Sequence, residues 1–222
     1  MERMIYQFES KDKLEDALVT DLLCHLEKAI ALNGSASILL SGGSTPKALY
    51  SKLSRKKIPW SKVTIGLVDE RFVNEFSEYS NEKLIRETLL QNEAKDARLI
   101  PMVYDENDEI KNIELVRKAY ATFDRLDAVI LGMGEDGHTA SIFPDDEASD
   151  LAHHTNEFIV STKAPNHPIH RITCSIKFLD NAEKTYLFFT GEKKLKVLEE
   201  SKDRNYPIAH FYNQNTDIYY AN

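Results

Sequence analysis

Two cysteines, Cys24 and Cys174, are too few for a disulfide framework. The expected compartment is therefore a reducing one, the cytoplasm, with both thiols acting as small core residues. No apolar run approaches the ~18–20 residues of a membrane span. The opening MERMIYQFES carries acids where a signal peptide needs a basic and then an apolar start. Positive charge is also short. The formal charge of −8 argues against broad binding to nucleic acid or acidic membranes. An anionic ligand must then be held by a few placed cations against an unfavourable global field.

Several catalytic signatures are missing as well. No Walker A pattern is present, because the Gly-Gly-Ser-Thr loop at 42–45 lacks the Gly-Lys-Ser/Thr ending. There is no GxSxG elbow. The seven histidines come with no HExxH or CxxC. His153 and His154 are adjacent, His167 and His170 straddle a proline, His25 falls on the polar side of the first helix, and His210 has no context. Neither a metal nor a cofactor is expected. No repeat, heptad run or low-complexity linker breaks the chain, so one domain over residues 1–222 is expected. At 25.4 kDa it can bury a substantial core.

Apolar runs at 5–8, 36–40, 63–68, 99–104, 128–131, 158–162, 170–175, 186–189 and 218–220 read as strands, the last at a sheet edge. Helical patterns fall at 11–32, 47–53, 80–90, 107–123 and 193–201. The first has Ser10 as its cap, an apolar stripe of Leu14, Leu18, Leu22, Leu26 and Ile30, and a stop at Asn33-Gly34. The fourth puts Ile110, Ile113, Val116 and Tyr120 on one face. A short helical turn is expected at 178–182, and the stretch after Pro144 is simply polar. Strands alternating with helices predict an α/β protein with a mostly parallel, doubly wound sheet.

The most informative stretch is 127–144, DAVILGMGEDGHTASIFP. A buried strand breaks into Gly132, Gly134 and Gly137, with Glu135 and Asp136 between them and His138 directly after. Open α/β sheets place their ligand crevice at such strand ends, and histidine is the side chain whose unperturbed pKa lies near neutrality. The stretch reads as an active-site loop around one histidine. Asp136 either orients the imidazole or satisfies loop N–H groups. SGGSTP at 41–46 joins a strand to a helix start, which offers free backbone N–H groups to an anion. Ser44 and Thr45 beside Gly42 and Gly43 favour a phosphate over an empty β–α turn. Asp69-Glu70-Arg71 ends another strand; these charges either serve a site or form a local ion pair in solvent. Arg171 and Lys194 are ligand candidates or solvated cations. Together the residues point to a phosphorylated small molecule and histidine acid–base chemistry.

SGGSTP at 41–46, VDER at 68–71, SN at 80–81 and GMGEDGHTASIFP at 132–144 strongly resemble the 6-phosphogluconolactonases of the pentose phosphate pathway. RIT at 171–173 and GEKK at 191–194 follow the same pattern. The superfamily also holds glucosamine-6-phosphate deaminases. The resemblance implies a Rossmann-like α/β/α fold and metal-free hydrolysis of 6-phosphoglucono-1,5-lactone to 6-phosphogluconate. It implies that Gly42, Gly43, Ser44, Thr45, Arg171 and Lys194 hold the 6-phosphate, with Lys194 chosen over Lys193 by the Gly-x-x-Lys spacing. His138 would be the general base, aided by Asp136, with Arg71 and Asp69 beside the sugar ring. The implied partner is a small phosphosugar lactone, with no nucleic acid or membrane, and the chain is expected as a monomer or weak homo-oligomer. The deaminases typically read GHIAFNEP after the glycine loop and MDEY where this chain has VDER. The Thr139–Pro144 stretch and Arg71 depart from them toward the lactonase. A non-catalytic sugar-phosphate sensor is a third reading, and an intact His138 weighs against it.

Overall fold

The structure, a computed structural model, describes residues 5–213 and 215–222. In chain order the elements are β1 (Ile5–Phe8), α1 (Lys11–Asn33), β2 (Ala36–Leu40), α2 (Lys47–Leu53), β3 (Val63–Leu67), β4 (Asp69–Arg71), α3 (Asn81–Thr88), β5 (Arg98–Leu99) and α4 (Glu109–Tyr120). They continue as β6 (Leu126–Leu131), α5 (Glu147–His154), β7 (Ile159–Lys163), β8 (His170–Cys174), α6 (Ile176–Leu179), β9 (Ala182–Thr190), α7 (Glu192–Glu200) and β10 (Thr216–Ala221).

Seven strands form one sheet in the order β1-β10-β9-β6-β2-β3-β5, with every pair parallel. All residues of β2 and β6 are buried, as a sheet covered on both faces requires. From β2 the chain winds outward through β3 to β5, then returns to lay β6 on the other side of β2. The order therefore reverses between β2 and β6, and their C-terminal ends face the crevice such a reversal opens. Helix α1 starts as its sequence predicts: the Ser10 side chain accepts from Lys13 N. It stops at Gly34, whose φ of 80° suits a residue without Cβ and whose N–H reaches Ile30 O. Leu14, Leu18, Leu22 and Leu26 are fully buried. Among the described residues no helix is long and apolar enough to cross a membrane.

The structure departs from the sequence reading at several points. The charged triplet 69–71 is not the tail of β3 but a separate strand, β4, which leaves the main sheet and pairs antiparallel with β8. With β7 these strands form a second sheet, β4-β8-β7. That pairing joins segments about a hundred residues apart, which no local pattern reveals. The strand expected over 99–104 ends at Leu99, because Pro101 has no N–H to continue the ladder. Strand β10 lies inside the sheet between β9 and β1, and β1 is the edge. In α4, Ile110 is 80% exposed while Asn112, Val116 and Tyr120 are buried. The Asn112 side chain earns its place by accepting from Tyr104 N and donating to Met102 O. The polar stretch after Pro144 folds as α5, because the Asp146 side chain caps it by accepting from Ser149 N. Cys174 is buried but Cys24 is exposed, since it falls between the stripe positions Leu22 and Leu26. His25 is half-buried and lies 2.8 Å from Asp127 O through Nε2.

Candidate active site

A cavity of about 370 Å³ opens where the order of the sheet reverses. Gly42, Gly43, Ser44, Thr45, Asp69, Arg71, Asp136, His138, Arg171 and Lys194 all line it. The structure thus brings every site candidate of the sequence into one place. It also adds Asn81, Phe143 and Asn166. Asn81 stood in a motif but carried no role, and Asn166 sits in an exposed loop with no chemical signature.

The loop after β6 is folded around the histidine. Gly134 N donates to His138 O at 2.9 Å and Gly137 N to Gly134 O at 3.2 Å, closing a tight turn. Gly137 takes φ +81° and abuts Tyr206, while Ile208 N donates to Gly137 O at 3.1 Å. Residues near the C-terminus therefore buttress the loop. A Cβ on Gly134 would come within 2.2 Å of His138 Nδ1 and 2.4 Å of Asp136 Oδ1. Those two atoms are themselves 2.6 Å apart. A Nδ1–H donating to the carboxylate leaves Nε2 as the nitrogen with a free lone pair. Burial pushes Asp136 upward, but the hydrogen bond and charge of His138 outweigh it and hold the carboxyl below the usual aspartate value. The imidazole packs against Phe143 at 4.9 Å between ring centres.

Three cations line the cavity. Arg71 and Arg171 occupy facing register positions on β4 and β8. Like charges directly opposite are destabilising, and burial followed by Arg71 lowers Arg171 below the usual arginine value. Arg171 Nε donates to Pro168 O at 2.8 Å, and Arg71 Nη1 to Tyr79 O at 2.7 Å. Arg71 Nε is buried and has no hydrogen-bond partner. In the first turn of α7, Lys193 turns to a surface ion pair with Glu135, while half-buried Lys194 lines the cavity. Burial lowers Lys194 below the usual lysine value, partly offset by Glu135 and Asp136. Such a cluster, incompletely compensated, is suited to an anion.

The wall between the two halves is tied by hydroxyls. Asp69 Oδ2 accepts from Ser141 Oγ at 2.6 Å, and Ser141 O accepts from Thr162 Oγ1 at 2.6 Å. Tyr50 OH donates to Ser41 O at 2.6 Å, fixing the start of the Gly42–Thr45 loop. Pro46 stands one residue outside α2, as its N-cap. Among the described residues no group of three or more His, Cys, Asp or Glu could hold a metal ion.

The chain belongs to the family described as glucosamine-6-phosphate isomerases/6-phosphogluconolactonase, which it matches over residues 9–220. Within that family it is similar to named 6-phosphogluconolactonases. The protein of that name from Helicobacter pylori J99 is 36% identical over 98% of this chain and 97% of its own length. The Rhizobium meliloti protein of that name is 37% identical over 91% and 88%. The crystal structure of a 6-phosphogluconolactonase from Shewanella baltica superposes with a TM-score of 0.94 at 34% identity, covering 100% of this chain and 98% of that one. The α/β fold with its mostly parallel sheet is that of these proteins.

Proposed function

We propose that this chain hydrolyses 6-phosphoglucono-1,5-lactone to 6-phosphogluconate, the activity for which its relatives are named, with His138 as general base. The observation that carries the reading is the layout of the cavity. A histidine oriented by a carboxylate shares one cavity with three cations, Arg71, Arg171 and Lys194.

A lactone carbonyl is already electrophilic, so water needs only to lose a proton as it attacks C1. Nε2 of His138 takes that proton while Asp136 holds the ring and offsets the imidazolium charge. The tetrahedral oxyanion is met by Arg71 or by backbone N–H groups of the glycine loop. Collapse breaks the bond from C1 to the ring oxygen, which receives the proton back from His138. The products are one hydroxyl and one carboxylic acid on an open chain, the acid giving its proton to solvent to become the carboxylate, so no group beyond water is consumed. Arg171, Lys194 and the Gly42–Thr45 loop hold the 6-phosphate away from C1, and this remote binding fixes the attack geometry. Asp69 lies beside the sugar ring. The working unit is a monomer or weak homo-oligomer acting in the cytoplasm on a small molecule, with no nucleic-acid partner.

The test is loss of freshly generated 6-phosphogluconolactone, corrected for spontaneous hydrolysis, with ammonia release from glucosamine 6-phosphate followed in parallel. Fast lactone loss without ammonia is expected. Ammonia release instead would move the chain to the isomerase branch of the family. Phosphosugar binding without turnover of either would make it a sensor.

A further inference from the structure

Glu70 is among the least explained groups of the molecule. It sits between the cavity residues Asp69 and Arg71, yet its side chain is turned away into the protein and is only 1% exposed. Burying a carboxylate is costly, and the like-charged Asp69 adds to the cost. Burial accordingly pushes its carboxyl up to about 7. Four donors converge on it. Oε1 accepts from the backbone N–H groups of Arg71 and Asn81, at 2.7 and 2.8 Å. Oε2 accepts from Glu82 N at 2.7 Å and from Ser80 Oγ at 3.1 Å. The carboxylate therefore bolts the start of α3 to β4, where the helix dipole also favours a negative charge.

What it bolts down faces the cavity. The first residue of α3, Asn81, is buried, lines the cavity and donates from Nδ2 to Asp69 O at 2.9 Å. Its Oδ1 fills the space a side chain at position 42 would need: a Cβ on Gly42 would lie 1.8 Å from it. Gly42 opens the loop assigned to the phosphate.

We propose that Glu70 is the positioning residue of the phosphate-binding half of the cavity, holding Asn81 in its corner so that Asn81 sets the Gly42–Thr45 loop. The geometry rests on the hydrogen bonds alone, and the substrate rests on the lactonase reading above. A glutamine of the same shape cannot replace the carboxylate. Its NH2 must face either Arg71 N and Asn81 N or Glu82 N and Ser80 Oγ, and each pair includes a backbone donor that cannot reverse.

The experiment compares wild type, Glu70→Gln, Asn81→Ala and the double variant by lactonase kinetics and by calorimetric titration with 6-phosphogluconate. Glu70→Gln is expected to raise KM and weaken 6-phosphogluconate binding by about tenfold, with kcat within about threefold of wild type. Asn81→Ala should act in the same direction, and the double variant should be little worse than either alone, because the two residues act through one contact. A folded Glu70→Gln with unchanged KM and unchanged product affinity would reduce Glu70 to a helix anchor and overturn the proposal. So would strict additivity in the double variant, or a loss confined to kcat. Where Glu70→Gln does not fold, Asn81→Ala decides: weakened 6-phosphogluconate binding supports the proposal and unchanged binding removes it. Wild type that binds 6-phosphogluconate without hydrolysing the lactone would sink the lactonase reading, while the binding comparison still judges Glu70. Wild type that binds neither 6-phosphogluconate nor glucosamine 6-phosphate would overturn both.

Discussion

The loops that follow β2 and β6 leave adjacent strands of one sheet and enter the same cavity. Both are rich in glycine, and the glycines serve opposite halves of the chemistry. After β2, Gly42 makes room for a side chain from another element, Asn81, and the loop itself offers backbone and small hydroxyls. After β6, Gly134 makes room for the loop's own His138 and Asp136. The first loop is shaped from outside, by Asn81. The second is folded on itself, around His138. Composition alone would have treated them as one kind of feature.

The contrast between base and holder is broken most severely at His138. His138→Ala should lower kcat roughly 10²–10⁴-fold with little change in KM, read by lactone loss above the spontaneous rate. Unchanged turnover would remove the histidine from the chemistry. On the holding side, Arg171→Ala should raise KM about 10–100-fold, in line with the ~1.5–3 kcal/mol of a charge-assisted hydrogen bond, and leave kcat nearly intact. A loss in kcat alone would contradict that role.

The glycines sharpen the comparison directly. Gly134→Ala pushes a methyl into the His138–Asp136 pair and is expected to reduce kcat about tenfold, whereas Gly42→Ala strikes Asn81 and should raise KM by a similar factor. The same defect from both substitutions would mean that the two loops are not separable. Lys194 should show itself through pH. Its value lies below that of an ordinary lysine because it is half-buried. As pH rises through that lowered value the ammonium loses its proton, so 6-phosphogluconate affinity should fall earlier on the alkaline side than a solvated lysine would dictate. Titration calorimetry of wild type beside Lys194→Met should show this limb only in wild type. The smallest effect is expected from Lys193→Ala, about twofold or less in KM, because its charge is spent on an exposed pair with Glu135.

How much of this was legible in the chain differs between the same two regions. The loop after β6 was readable because its glycines, its acid and its histidine lie within a few consecutive residues. Only the Asp136 alternatives stayed open, and the structure shows both at once: Oδ1 lies 2.6 Å from His138 Nδ1 and accepts from the loop N–H of His138 at 3.2 Å. The holding half was readable as a set of candidates but not as an arrangement. Arg71 and Arg171 face each other only because β4 leaves the main sheet to pair with β8. The sequence pattern treated 69–71 as the tail of a strand, since three charged residues show no alternation.

Local interactions account for what the sequence determined by itself: the capped helix α1, the buried parallel strands β2 and β6, the α/β class and the identity of the candidate site residues. Each depends on residues a few positions apart, whose periodicity and caps are written in order along the chain. The tertiary structure alone decided the second sheet, the place of Asn81 against Gly42 and the burial of Glu70. These depend on contacts between segments far apart in sequence. Their partners are chosen by packing and by the need of every buried polar group for a hydrogen bond, which no local pattern specifies.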